Sequence, residues 1–226
     1  GDLMKIIELF AGIGTQRKAF ETIYDNCETI AISEIDPRPL KIYQHLFPNC
    51  PNLGDITKIQ SLPYADVWTY SFPCTDLSIA GNKAGLNGKQ SSLIYEVLRL
   101  LHNSPKPRVL IMENVANLVS EKFITGFNDW ITLLAQEGYH TFWLKMKASD
   151  YGGMSIRNRV FAVSTLNTDS FEFPKKDVSQ LTVKDILLPP VSECFVDNYE
   201  YIECPLNYKN SIKICDYNNG GQGNRI

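Results

Sequence analysis

Four short clusters in this chain combine residue types that can do chemistry with spacings that let them meet. The first is Phe10-Ala11-Gly12-Ile13-Gly14. Glycines after a short apolar run let backbone approach a ligand, and a following helix offers unpaired N–H groups. A dinucleotide fingerprint wants a third glycine at position 17, which is Arg17; taken alone the cluster fits a cofactor turn or a mere tight turn equally. Glu34 lies 20 residues past Gly14, where a carboxylate grips ribose hydroxyls in such folds, or simply caps a helix. Asp55, after Gly54, could accept from an adenine amino group. The second cluster is Ser71-Phe72-Pro73-Cys74, a thiol just past an apolar strand, which reads as a reactive cysteine or a buried structural one. The third, Glu113-Asn114-Val115, ends another apolar run, so a nucleophile and an acid could share one sheet edge. The fourth is Arg157-Asn158-Arg159, whose arginines point the same way only if the backbone is extended; an ion-paired or solvated reading is equally open.

The elements that must position these residues alternate in type. Lys5–Phe10, Thr29–Ser33, Val67–Phe72 and Val109–Met112 read as short buried strands. Gln16–Tyr24, Pro37–Phe47, Ser91–Leu101 and Phe123–Gln136 read as helices, the second with proline at its start and Leu40, Tyr43, Leu46 and Phe47 at helical spacing. Tyr139–Lys147, alternating Tyr139, Thr141, Trp143 and Lys145 against its neighbours, reads as a late or edge strand, and Arg159–Thr165 as the last. Such an order predicts an α/β fold, Rossmann-like, with a mostly parallel sheet and helices on both faces. After Thr165 the texture turns to prolines and scattered aromatics, and only Val183–Leu188 is clearly apolar. A division follows: 4–165 as a catalytic and cofactor-binding domain, 166–226 as a connecting segment and the start of a further region.

Composition narrows the class. With 226 residues, folding buries roughly 70% of the unfolded surface, enough for a core without disulfides. Hydrophobic content of 44% and charged content of 21% exclude wholesale disorder. A net charge of −3 argues against a uniformly basic nucleic-acid module but not against a local phosphate-binding patch. No apolar run reaches the ~18–20 residues of a membrane span. The six cysteines (27, 50, 74, 194, 204 and 215) form no C-x-x-C pair and no metal-ligand spacing with the three histidines. That pattern predicts reduced thiols, a cytoplasmic protein and no metal site. Gly1–Leu3, ahead of Met4, read as an expression remnant.

In this order, F-A-G-I-G at 10–14, S-E-I-D at 33–36, G-D-I at 54–56, F-P-C at 72–74, E-N-V at 113–115 and R-N-R at 157–159 resemble the successive motifs of the cytosine-5 DNA methyltransferase family. The likeness covers about residues 4–165, including the stretch Ser78–Leu93 with G-N-K-A-G-L at 81–86 and S-L-I-Y beginning at Ser92, with a weaker echo at Thr182–Leu188. It implies S-adenosylmethionine as methyl donor and double-stranded DNA as partner, in a bacterial or phage-encoded restriction-modification enzyme. Phe10, Gly12 and Gly14, with Ile13 in the same turn, would hold the methionine end of the donor. Glu34 would hold its ribose, Ile35 and Ile56 the adenine faces, Asp55 the adenine amino group, and Leu93 the helix side. Cys74 would be the nucleophile, Glu113 the acid at the base, Arg159 a contact to the cytosine carbonyl, and Arg157 and Ser78 contacts to phosphate. The loop Ile79–Ser91, carrying Lys83 and Lys89 toward DNA and no acid, would close over a base swung out of the helix.

Two positions depart from the family pattern: Thr75 and Ser155 stand where glutamines are usual. The likeness also implies a recognition region of which Gly220–Ile226 resembles only the opening, so a second polypeptide or a longer chain is expected to supply base readout. Three other readings are weighed beside the enzyme. A binding module that takes cofactor or partner without turnover is one. An NAD-type oxidoreductase is disfavoured by Arg17, and a tRNA-methylating relative by residues 168–226.

Overall fold

The computed structural model describes residues 2–72, 93–153 and 155–177, together with three short strands nearer the C-terminus. Cys74, Ser78, Lys83, Lys89, the loop Ile79–Ser91 and Val183–Leu188 lie outside the described residues. Six strands, β1 (Met4–Leu9), β2 (Cys27–Ser33), β3 (Val67–Tyr70), β4 (Val109–Val115), β5 (His140–Lys147) and β6 (Asn158–Thr165), form one sheet in the order β2-β1-β3-β4-β6-β5. The pairs β1–β2, β1–β3 and β3–β4 are parallel, and β6 inserts antiparallel beside β4. All four residues of β3 are buried, as expected of a strand covered on both faces, so it reads as a continuous run in the sequence. Sequence reading placed β5 late or at an edge, and it is one of the two edge strands of this sheet, β2 being the other. The strict alternation expected there is absent: both Trp143 and its neighbour Leu144 are exposed, although the Phe127 ring meets Trp143 edge-on at 5.5 Å.

Four α-helices among the described residues accompany the sheet. Asp36 caps α2 (Pro37–Leu46) by accepting from the Arg38 N–H at 3.0 Å, with Pro37 pre-set for the first turn. Helix α3 (Leu93–Asn103) buries Ile94, Val97, Leu100 and Leu101, and α4 (Ile124–Gln136) buries Phe127, Trp130 and Leu134. These stripes pack with Trp68, Tyr70, Leu110 and Met112 of the central strands into the core. There the Trp130 indole N–H donates to the Tyr70 hydroxyl at 3.1 Å, so neither buried polar group is orphaned.

Helices α1 (Thr15–Ile23) and α2 behave differently. No residue of α1 is buried, and α2 buries only Tyr43. Of the apolar face expected on α2, Leu46 is 56% exposed. Ile23, Tyr24 and Ile42 are exposed as well.

By compactness the chain forms two units, residues 1–145 with 159–173, and residues 146–158 with 174–226. The second therefore takes 146–158 from inside the span expected to be one domain. It holds a separate three-stranded sheet, β7 (Tyr199–Glu200), β8 (Lys213–Asp216) and β9 (Asn224–Arg225). Its Lys176 pairs with Asp150 at 2.8 Å. No helix among the described residues is long and apolar enough to cross a membrane.

The entry to α1 is sterically exact in one respect. Gly14 has φ +86°, and a Cβ there would stand 2.7 Å from Phe47 and 2.8 Å from Tyr43. Gly14→Ala is therefore expected to cost about 1–3 kcal/mol, lowering the melting temperature by several degrees in a thermal denaturation series.

Candidate active site

The carboxyl ends of β1, β2, β3 and β4 converge, as the crevice rule for open α/β sheets requires. The turn after β1 is held in an unusual shape: Phe10, Gly12 and Gly14 all have positive φ, and Phe10 is the one non-glycine residue to do so among those described. A bulky residue in that region is strained and persists only where its surroundings over-determine it. The surroundings here are hydrogen bonds. Ala11 N–H donates to the Ser33 carbonyl at 3.1 Å, and Gly14 N–H to that of Ala11 at 3.1 Å. Gly12 N–H donates to Glu34 Oε2 at 2.8 Å. The other Glu34 oxygen accepts from the N–H groups of Ile35 (2.8 Å) and Asp36 (2.7 Å).

That arrangement discriminates between ligands. The backbone N–H that would cradle a pyrophosphate already faces a carboxylate, so the turn repels an anion. The cavity beside it, about 350 Å³, is lined by Phe10, Ser33, Glu34, Ile35, Asp36, Pro39, Asp55, Ile56, Ser71 and Leu93. Its titratable lining is acidic and its remaining walls largely apolar. Glu34 and Asp55 retain acceptor capacity for hydroxyl and amino donors. Such an acceptor set fits an adenosine bearing a cationic chain.

Of the residues proposed from sequence for the cofactor, Phe10, Glu34, Ile35, Asp55, Ile56 and Leu93 line this cavity. Gly12, Ile13 and Gly14 do not. Gly12 is bonded to Glu34, Ile13 is exposed, and Gly14 packs against Tyr43 and Phe47. Asp55 caps a 3-10 turn over Ile56–Lys58, accepting from the Thr57 N–H at 3.0 Å and the Thr57 hydroxyl at 2.8 Å. Those bonds hold its carboxyl below the usual aspartate range.

One positioning residue escaped sequence reading. Asn52 accepts from the N–H groups of Glu34 (3.1 Å) and Gly54 (3.0 Å) and donates to the Glu34 carbonyl at 3.0 Å. It thereby bolts the two acidic ends of the cavity together. Its only trace in the sequence is an asparagine two residues ahead of Gly54, a common turn signal.

The acid and the arginine meet through sheet register. Strand β4 runs three residues beyond its expected end at Met112, so Glu113 is a strand residue. It lies opposite Phe161, and Val115 lies opposite Arg159. Glu113 and Arg159 are thus diagonal neighbours on one face, and Arg159 Nε stands 2.8 Å from Glu113 Oε1. The second Glu113 oxygen accepts from the Ser71 hydroxyl at 3.4 Å, which in turn accepts from the Gln16 amide at 3.1 Å. Asn114 is buried and donates to the Phe72 carbonyl at 2.9 Å, fixing the chain two residues before Cys74. Arg157 belongs to the second unit, where its carbonyl accepts from Ala148 N–H at 2.9 Å. Among the described residues no group of three or more His, Cys, Asp or Glu could hold a metal ion.

Behind the glycine turn lies a buried acid that sequence reading also missed. Glu8, on β1, accepts from the Tyr43 hydroxyl at 2.6 Å and from Arg17 N–H at 2.9 Å. Burial pushes its carboxyl above the ordinary value, against those two bonds.

The fold is that of S-adenosylmethionine-dependent methyltransferases. A methyltransferase structure from Entamoeba histolytica superposes with a TM-score of 0.69 at 21% identity, covering 85% of this chain and 62% of that one. The Dnmt2 methyltransferase of S. pombe superposes at 0.63 and 17% identity, covering 84% and 60%. The family model for C-5 cytosine-specific DNA methylases matches residues 4–223, and the chain belongs to that family. The match carries the likeness well past residue 165, into the region that sequence reading left as a weak echo. Type II methyltransferase M2.ScrFI of Lactococcus lactis subsp. cremoris is 41% identical over 150 residues, 64% of this chain and 41% of that protein. M.NlaX of Neisseria lactamica is 34% identical over 82% of this chain and 60% of its own length. M.HhaI of Haemophilus parahaemolyticus is 29% identical over 99% of this chain and 70% of its own. The chain therefore spans about half the length of the first two relatives.

The raised value of Glu8 has a definite sign. A carboxyl whose folded value lies above its unfolded 4.5 favours the folded state most below 4.5, and that contribution is lost as pH rises through the folded value. Glu8→Gln removes this dependence. Urea unfolding of the two proteins at pH 5 and pH 8 is expected to show the parent losing ground to the variant at the higher pH.

Proposed function

We propose that this chain transfers a methyl group from S-adenosylmethionine to carbon 5 of cytosine in double-stranded DNA, as the catalytic part of a modification enzyme of the restriction-modification type. The observation that carries the reading is the Arg159–Glu113 pair at the edge where β3 hands over to Phe72, two residues before Cys74. The family membership gives that pairing its meaning.

The chemistry follows from the substrate. Carbon 5 of cytosine is a poor nucleophile until a thiolate adds at carbon 6 and makes the ring enamine-like. Cys74 supplies that sulfur. A free thiol near pKa 8.5 is only about 3% ionised at pH 7, so a nearby cation raises its effectiveness. Glu113 stands to donate a proton to the ring nitrogen, and Arg159 to hold both Glu113 and the base carbonyl. S-adenosylmethionine, when bound, supplies the electrophilic methyl. Glu34 and Asp55 orient its ribose and adenine, while Phe10, Ile56 and Leu93 exclude water. A base, with water able to serve, takes the carbon-5 proton as the carbon-6–sulfur bond breaks, which restores the ring and frees the Cys74 thiol. Reaching the ring demands that the base leave the stack, at a cost of a few kcal/mol. Ser78, Arg157, Lys83 and Lys89 are the proposed phosphate contacts.

Base readout is assigned to protein beyond this chain, either a second polypeptide or a further segment. Two facts support that reading: the chain spans 41% and 60% of two of its relatives, and α1 and α2 leave Ile23, Tyr24, Ile42 and Leu46 exposed. The same facts also favour a second reading, a cofactor- or partner-binding module without turnover.

Transfer of labelled methyl to mixed-sequence duplex DNA distinguishes the two. It is run for the parent, Cys74→Ser and Glu113→Gln, each alone and with any polypeptide encoded directly downstream. The enzyme reading expects transfer by the parent in at least one condition, none by Cys74→Ser, and a loss of roughly 10²–10⁴ for Glu113→Gln. Cofactor binding with no transfer in either condition selects the binding module.

A further inference from the structure

The bonds that tie the floor of the cavity to β2 stop at Gly54, whose carbonyl accepts from the Ser33 hydroxyl at 2.7 Å. Residues 55–62 carry two of its lining side chains, Asp55 and Ile56, yet make no ladder with any strand. Burial of Ile56, Ile59 and Leu62 holds the segment down, but burial alone leaves its backbone polar groups in need of partners. One face of α3 and the residue that follows it provide them. Arg99 donates through Nη1 to the Ile59 carbonyl at 2.7 Å and through Nη2 to the Ile56 carbonyl at 2.9 Å. Its Nε is held by Glu96 at 2.7 Å, one turn earlier. Asn103, one turn later, donates to the Gln60 carbonyl at 3.3 Å, and Leu62 N–H donates to the Ser104 hydroxyl at 2.9 Å.

A guanidinium is a rigid planar fork, and here its two terminal nitrogens bridge carbonyls three residues apart. A lysine could reach one of them. We infer that Arg99 is a positioning residue for the adenine end of the cavity, and that through it occupancy of the cavity is coupled to the stability of α3. The inference rests on the cofactor reading above. Coupling of this kind is reciprocal: a ligand that favours the bonded conformation of Asp55 and Ile56 must favour the α3 contacts that hold it, by the same factor. Leu93 touches the cavity directly, so the informative part of α3 is residues 97–103, which do not line it.

Calorimetric titration with S-adenosylhomocysteine and amide hydrogen exchange, with and without that ligand, test the inference on the parent, Arg99→Met and Arg99→Lys. In the parent the ligand is expected to protect residues 97–103 as well as residues 34–36. Arg99→Met should bind about tenfold more weakly, the worth of one charged hydrogen bond. At saturation it should keep protection at 34–36 and lose it at 97–103. Arg99→Lys should fall between, and it carries the same comparison should Arg99→Met not fold. Binding by either variant within twofold of the parent, or ligand protection at 97–103 that survives in Arg99→Met, overturns the inference. So does a parent whose residues 97–103 ignore the ligand while 34–36 respond. A parent that binds no ligand at all overturns the cofactor reading itself, and this inference with it.

Discussion

The Glu34 carboxylate is the constraint around which the site is organised. With one oxygen on Gly12 N–H and the other on the N–H groups of Ile35 and Asp36, it ties the turn after β1 to the end of β2. Three positive-φ residues can then coexist in five positions, Phe10 among them. A carboxylate placed there also sets the electrostatic character of the crevice. A backbone arrangement that elsewhere attracts phosphate is here turned toward donors and cations, which separates this fold's ligand from that of a dinucleotide-binding relative.

A second feature is that strand ends, not loops alone, hold the paired charges of the crevice. Glu113 and Arg159 are brought together by antiparallel register between β4 and β6, and Asn114, the residue between Glu113 and Val115, points to the opposite face and grips the Phe72 carbonyl. Neighbouring positions of one strand thereby serve two tasks, one toward the acid and one toward the segment leading to Cys74. Sites built on regular elements are more precise than sites built on loops, and the antiparallel insertion of β6 provides that precision here.

The two helical layers are unequal. Helices α3 and α4 bury complete apolar stripes, whereas α1 contributes no buried residue and α2 only Tyr43. The first layer is held instead by a polar core: Glu8 buried beneath Tyr43 and Arg17, with the Arg17 guanidinium 4.2 Å over the Phe47 ring. Buried polar clusters specify geometry but are costly when broken. The entry of α1 is therefore set by a few directional contacts and by Gly14, not by general burial.

By itself the sequence determined the order of elements and most of the cavity. Continuous apolar runs such as Val67–Tyr70 mark strands buried on both faces, and Gly-containing turns beside Glu34 and Asp55 mark where their carboxyl ends open; both signals are local and survive without knowledge of packing. Short motifs in a fixed order then carried the family. What only the tertiary structure decided were the relations that depend on register and on side chains from distant segments. Asn52 and Arg99 are unremarkable in a linear reading, since the backbone groups of Glu34 and of Ile56 and Ile59 that they hold are 18 to 43 residues away. The pairing of Glu113 with Arg159 hangs on where β6 slides along β4, and the separate tasks of Gly12 and Gly14 on what stands over each. Local pattern fixes which elements form, but the directions of hydrogen bonds between them exist only once the chain has folded.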